Sequence, residues 1–179
     1  MPDALARFLS DGGRAAEPAI KSGLPVFAAP LGEETTLNSS PYIMSLQRVA
    51  RAFGRTSRRR GLLDALRGAL ARAAALGVDS RMILLGGSFV HSEAEPSDID
   101  GLLFYALPEQ RSEAGLHRWR RELAGQPLDL QFCPVDVDPL VLVKRAIFFS
   151  NHFSYDRQAQ GLIRGTVLVP LAIEEGRAA

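Results

Sequence analysis

The chain has 179 residues, 46% of them hydrophobic, a formal net charge of +1 and a single cysteine. That length carries one ordinary hydrophobic core and excludes a catalytic fold joined to a large substrate-recognition domain. Charge so near balance excludes a protein that coats nucleic acid over its whole surface, and Cys133, without a partner for an intramolecular disulfide, reads as a small buried hydrophobe at a strand end.

In chain order, the first segment, MPDALARFLSDGG, carries Asp3 and Asp11 and no long apolar run. It resembles neither a secretion signal nor a membrane span, so the expectation is a cytoplasmic protein with no membrane partner. Residues 1–39 read as an N-terminal arm, a short helix followed by extended chain, because Pro18, Pro25 and Pro30 interrupt any long helix. Residues 40–179 read as a single domain. Ser40-Pro41 is the expected start of a helix with Ile43, Leu46, Val49, Ala50 and Phe53 on one face and Gly54 at its end. From Ser57 to Leu76, Leu62, Leu66, Ala69, Leu70 and Ala73 recur at helical spacing, and Gly77 supplies a stop. Strands follow at Met82–Leu85 and Ile99–Tyr105. Between Glu109 and Ala124, Leu116, Trp119 and Leu123 define an amphipathic helix, and Leu128–Cys133 reads as the next strand. Asp138-Pro139 has the form of a helix cap and first helical residue, leading into Leu140, Val143, Lys144, Ile147 and Phe148, so Asp136 and Asp138 are assigned to capping or solvation. Gly161–Leu171 reads as a last strand, and the class is α/β (α+β).

The chemistry concentrates in LLGGSFVHSEAEPSDIDGLLFY, Leu84 to Tyr105. In a strand, Asp98 and Asp100 project from one face while Ile99 enters the opposite layer, because side chains alternate with a period of two. Two ionised carboxylates so placed repel one another unless a cation sits between their oxygens. Upstream, Gly86 and Gly87 let the backbone approach a ligand closely, and exposed N–H groups with the Ser88 hydroxyl suit phosphate oxygens. Mg²⁺ fits such a pairing, because it takes one or two protein carboxylates together with substrate phosphates and water.

Gly86-Gly87-Ser88 followed by Asp98-Ile99-Asp100 resembles the signature of the DNA polymerase beta-like nucleotidyltransferase superfamily, in particular its small stand-alone bacterial members. The core resemblance covers Met82 to Cys133; more loosely, Ser40 to Leu171, with SPYIMSL, FGRTSRRR and GLIRGTVLVPL, is similar to a bacterial group of that superfamily. It implies a nucleotidyltransferase fold, a small mixed β-sheet flanked by helices, and a third acidic residue on a later strand, the place that Asp129 fits. Asp98, Asp100 and Asp129 would then be both catalytic and metal-binding, with Mg²⁺ or Mn²⁺ as cofactor. Gly86, Gly87 and Ser88 would orient the phosphates of an NTP, and Asp129 would accept the proton of an attacking hydroxyl. A nucleoside monophosphate would pass to a hydroxyl acceptor on a protein, an RNA end or a small molecule, and pyrophosphate would leave.

Many members place a basic residue shortly after the Gly-Ser turn; here His91 is the one candidate for that nucleotide contact, followed by Glu93 and Glu95. Arg55, Arg58, Arg59 and Arg60, then Arg118, Arg120 and Arg121, form basic clusters that read either as solvated helix faces or as steering charge for a nucleotide or RNA partner. Lys144, Arg145 and Arg157 flank the aromatic run from Ile147 to Tyr155, which reads as core in preference to a base-stacking platform. A homodimer that completes the acceptor site is an expectation from size alone. The alternative to an enzyme is a non-catalytic nucleotide- or metal-binding regulatory module, or a toxin–antitoxin component with this fold.

Overall fold

Side chains of the central strands sort alternately onto two apolar faces of one mixed sheet, and that alternation organises the molecule. The computed structural model describes residues 2–28, 35–91, 95–107, 113–156, 159–162 and 164–171. Its strands are β1 (Tyr42–Ile43), β2 (Asp79–Gly86), β3 (Ile99–Ala106), β4 (Leu128–Pro134), β5 (Tyr155–Asp156), β6 (Gly161–Leu162) and β7 (Val167–Pro170). Its helices are α1 (Pro2–Lys21), α2 (Leu46–Phe53), α3 (Ser57–Ala75), α4 (Ala114–Leu123) and α5 (Pro139–Ser154). The main sheet has the order β1-β7-β2-β3-β4; β2 is antiparallel to β3 and β7, whereas β1–β7 and β3–β4 are parallel. The expected α/β class is observed, and β5 and β6 form a separate antiparallel ribbon.

On one face, Ile99, Leu103 and Tyr105 of β3 join Ile83 and Leu85 of β2 in the main core, with Val49, Leu62, Leu66 and Trp119 from the helices. On the other face, Leu84, Leu102, Phe104 and Cys133 pack against Leu142, Ala146, Phe149 and Phe153 of α5. Each face thus receives every second residue, as the period of two requires. Polar caps begin α3 and α5: Thr56 accepts the Arg59 N–H ahead of α3, and Asp138 accepts the Leu140 N–H at 2.8 Å, with Pro139 in the first helical turn. The capping role expected of Asp138 is therefore met.

Three expectations need correction. The N-terminal helix is not short: α1 continues through Pro18 to Lys21, and Ala16, Ala19 and Leu24 are buried in the main core, while residues 29–34 of the expected arm lie outside the described residues. An internal proline removes a helical hydrogen bond and costs about 3 kcal/mol, which tertiary burial outweighs here. Gly12 permits the approach of α1 to β1, since a Cβ there would stand 3.1 Å from Ile43 Cβ. The helix expected from Ser40-Pro41 starts instead at Leu46, capped by the Ser45 hydroxyl; the Ser40–Pro41 bond is cis, and Tyr42–Ile43 pairs with β7. The last expected strand is two short ones, β6 and β7, in different sheets.

Among the described residues, no helix is long and apolar enough to cross a membrane. Leu66 on α3 is fully buried in the main core. Leu66→Ala is expected to cost about 3 kcal/mol of unfolding free energy in urea titrations, through lost transfer energy and the cavity left behind; a loss below about 1 kcal/mol would contradict this packing.

Candidate functional site

β2 ends where β3 begins, so the Gly-Gly-Ser turn and the aspartates meet at one edge of the sheet. Gly86 is the register partner of Asp100, and Asp100 is in turn the partner of Asp129 across the parallel β3–β4 pair. Asp100 shares its face with Leu102 and Phe104, and Asp129 shares that face with Cys133, so both carboxylates stand on the side covered by α5. Asp98 lies just before β3, with Oδ1 accepting the Ser97 hydroxyl at 3.1 Å. Gln131 Nε2 donates to Asp129 Oδ1 at 3.2 Å. Ile99, between the two aspartates, is fully buried in the opposite layer, as the alternation requires.

The turn approaches these carboxylates as closely as backbone can. Gly87 has φ +62°, and a Cβ there would fall 1.8 Å from Asp100 Oδ2, so both conformation and space demand glycine. At Gly86 a Cβ would meet Phe153 Cβ at 2.3 Å, which places the last turn of α5 directly over the strand end.

Two arginines from the start of α3 hold the loops on either side. Arg59 is only 4% exposed; its Nη1 donates to the Phe89 carbonyl at 2.6 Å, its Nη2 donates to the Ser88 and His91 carbonyls, and its guanidinium lies 5.8 Å from the Phe89 ring centre. Arg58 donates to the carbonyls of Pro96 and Ser97, immediately before Asp98. Arg59 is thus neither a solvated side chain nor a steering charge. It belongs to the apolar stripe of α3, in register with Leu62, Leu63 and Leu66, and that spacing was the signal available for it. Five further cationic side chains are also engaged: Arg55 with the Ala52 carbonyl, Arg60 with the Arg55 carbonyl, Arg118 with Glu122, Arg120 over the Phe132 ring and Arg145 with the Phe132 carbonyl.

The acidic edge is electrostatically unfavourable as it stands. Burial, then the neighbouring Asp98 and Asp129 carboxylates, push the Asp100 carboxyl above the usual range, while His152 of α5 acts in the opposite sense. Among the described residues none of the three carboxylates forms an ion pair. Nor are three described His, Cys, Asp or Glu side chains gathered closely enough to hold a metal ion by themselves. His152 was not singled out from the sequence, where it stood inside an aromatic run.

His91 does not offer the expected cation. Its ring is buried against Gly23, its charged neighbours are Arg164, Arg59 and Asp156, and its Nε2 has no partner among the described residues. Burial first, then Arg164, lower its pKa to about 4, so it is neutral at pH 7. Glu95 turns to α3, accepting the Thr56 hydroxyl at 3.4 Å; Glu93 and Arg157 lie outside the described residues.

A family model described as a family of unknown function, DUF6932, matches residues 29–169, and the chain belongs to that family. No curated protein and no solved structure matches it.

Two outcomes follow from this geometry. Arg59→Met leaves buried carbonyls without their charged donor and is expected to cost about 3 kcal/mol in urea titrations, Arg59→Lys less; an unchanged midpoint for Arg59→Met would contradict the clasp. Because the folded-state pKa of Asp100 is raised, the folded chain binds that proton more tightly than the unfolded chain, and stability falls as pH rises from the ordinary carboxylate range through the elevated value. Asp100→Asn is therefore expected to gain stability relative to wild type across that window in metal-free buffer and to keep the gain above it. A gain that shrank with rising pH would show the sign to be wrong.

Proposed function

We propose that the chain is a metal-dependent nucleotidyltransferase with the DNA polymerase beta-like fold, moving a nucleoside monophosphate from an NTP to a hydroxyl acceptor and releasing pyrophosphate. The observation that carries this reading is the side-by-side register of Asp100 and Asp129, with Asp98 adjacent, against a glycine turn whose backbone touches the Asp100 carboxylate. Structural acidic clusters are ordinarily neutralised by Arg or Lys, whereas here the nearby arginines bind backbone carbonyls. A cation from solution is the missing partner.

The donor set fits Mg²⁺ or Mn²⁺, which are bound by hard carboxylate oxygens and commonly take one or two of them beside substrate phosphates, so a preformed protein cage is not required. Asp98, Asp100 and Asp129 would hold the ion, which when bound neutralises charge on the attacking and leaving oxygens of an in-line displacement. The remaining work belongs to the chain. Gly86, Gly87 and Ser88 orient the phosphates through backbone N–H groups and the Ser88 hydroxyl, and Arg59 holds that turn in place from behind. Asp129, with Oδ1 engaged by Gln131, presents Oδ2 to take the proton of the acceptor hydroxyl as its oxygen attacks the α-phosphorus. The acceptor is a hydroxyl of a protein, an RNA end or a small molecule.

A second reading, a non-catalytic module that senses a nucleotide or metal, draws on one observation: neutral His91 leaves no cation immediately after the turn to meet a triphosphate. Transfer from α-labelled ATP, CTP, GTP and UTP with Mg²⁺ or Mn²⁺ into protein, RNA and metabolite fractions separates the two. The transferase reading expects label moved by wild type and a loss of at least about a hundred-fold in Asp100→Asn, in line with removal of a charge that acts at the reacting phosphate. No label in any fraction, with the protein folded, favours the sensor.

A further inference from the structure

α5 carries more apolar surface than its packing uses. Leu142, Ala146, Phe149 and Phe153 already seat the helix on the sheet, yet Phe148 is 57% exposed and Ile147 is 55% exposed beside them. The run expected to be core is thus divided, with Phe149 and Phe153 partly buried against the sheet and Ile147 and Phe148 open to solvent. At its C-terminal end these open side chains line a cleft of about 410 Å³ together with Lys144, Asn151, His152, Tyr155 and Leu162.

Three features give the cleft a chemical preference. The Phe148 and His152 rings are stacked, within 6° of parallel at 5.8 Å between centres, so the pair gives one side of the cleft an aromatic shelf. Asn151 supplies an amide that both donates and accepts hydrogen bonds, and Lys144 supplies an ammonium. The volume lies within the roughly 300–1,000 Å³ usual for small-molecule sites. The cleft and the acidic edge are linked through the last turn of α5: His152 lines the cleft, and Phe153, the next residue, covers Gly86.

We infer that this cleft is a nucleobase site, in which Phe148 and His152 stack the base of a nucleotide and Asn151 hydrogen-bonds its edge while the phosphates lie at the Gly86–Ser88 turn. The inference rests on the transferase or sensor reading for the phosphates, but not for the base. An aromatic heterocycle uses all three features at once, because every base has a π-face for the shelf and polar edge atoms for the amide.

Equilibrium dialysis with labelled adenosine, cytidine, guanosine and uridine, and with their triphosphates, tests this on wild type, Phe148→Ala, Asn151→Ala and Asp100→Asn. Sedimentation of each protein reports its association state, and circular dichroism its fold. The expected result is metal-independent binding of at least one nucleoside, weakened about ten-fold in Phe148→Ala, altered in base preference in Asn151→Ala and unchanged in Asp100→Asn. Equal nucleoside and triphosphate affinities in folded Phe148→Ala and wild type would overturn the inference, as would a Phe148→Ala effect confined to self-association, which would make the face an interface between copies. Failure to bind any nucleoside or triphosphate would overturn it too. Label transfer by wild type with Phe148→Ala unaffected would sink the base site alone; nucleoside binding that depends on Phe148 without label transfer would sink the transferase alone.

Discussion

One buried guanidinium sets the geometry of the acidic edge. Arg59 leaves the polar start of α3, enters the core beside Phe89 and satisfies the carbonyls of Ser88, Phe89 and His91. A turn that exposes its N–H groups to one side must direct carbonyls to the other, and buried carbonyls require donors. Arg59 is that donor, and its fixed planar fork can serve several acceptors at once where a lysine would serve fewer. Arg58 does the same for Pro96 and Ser97, so adjacent residues of one helix fix both segments that flank the acidic edge.

The carboxylates are placed by the sheet and not by each other. Register puts Asp129 beside Asp100 and Gly86 on its other side, and burial, then repulsion from the neighbouring carboxylates, raises the Asp100 pKa. The last turn of α5, the partially negative end of a helix, closes over Gly86 through Phe153 and adds to the unfavourable field, with His152 the opposing group. An arrangement that costs stability in the absence of a cation, on strands otherwise filled by well-packed apolar residues, is the pattern expected where a site has been built for a ligand.

Much of this was legible in the residues. Alternation in β3 assigned Ile99 and Asp100 to opposite layers, the Asp138-Pro139 cap began α5, and the third acidic residue that the resemblance implies, Asp129, stands in register with Asp100. What was not legible depends on tertiary contacts. Pro18 reads as a helix breaker, but burial of Ala16 and Ala19 carries α1 through it. His91 follows the turn in sequence, yet its ring packs towards Gly23 and loses its charge to burial. Arg59 reads as one of four basic neighbours until its helical phase with Leu62, Leu63 and Leu66 is counted. The aromatic run of α5 has enough apolar residues for two faces, and periodicity alone does not say that only one of them is covered.

The central claim is that Asp98, Asp100, Asp129 and the glycine turn form one metal-dependent nucleotide site. Its most direct test is binding of a non-hydrolysable triphosphate analogue, measured by calorimetry across a Mg²⁺ series for wild type and Asp100→Asn. Affinity that rises with Mg²⁺ in wild type and is flat in Asp100→Asn is the expected result. Affinity indifferent to Mg²⁺, or the same Mg²⁺ dependence in both proteins, would contradict the account.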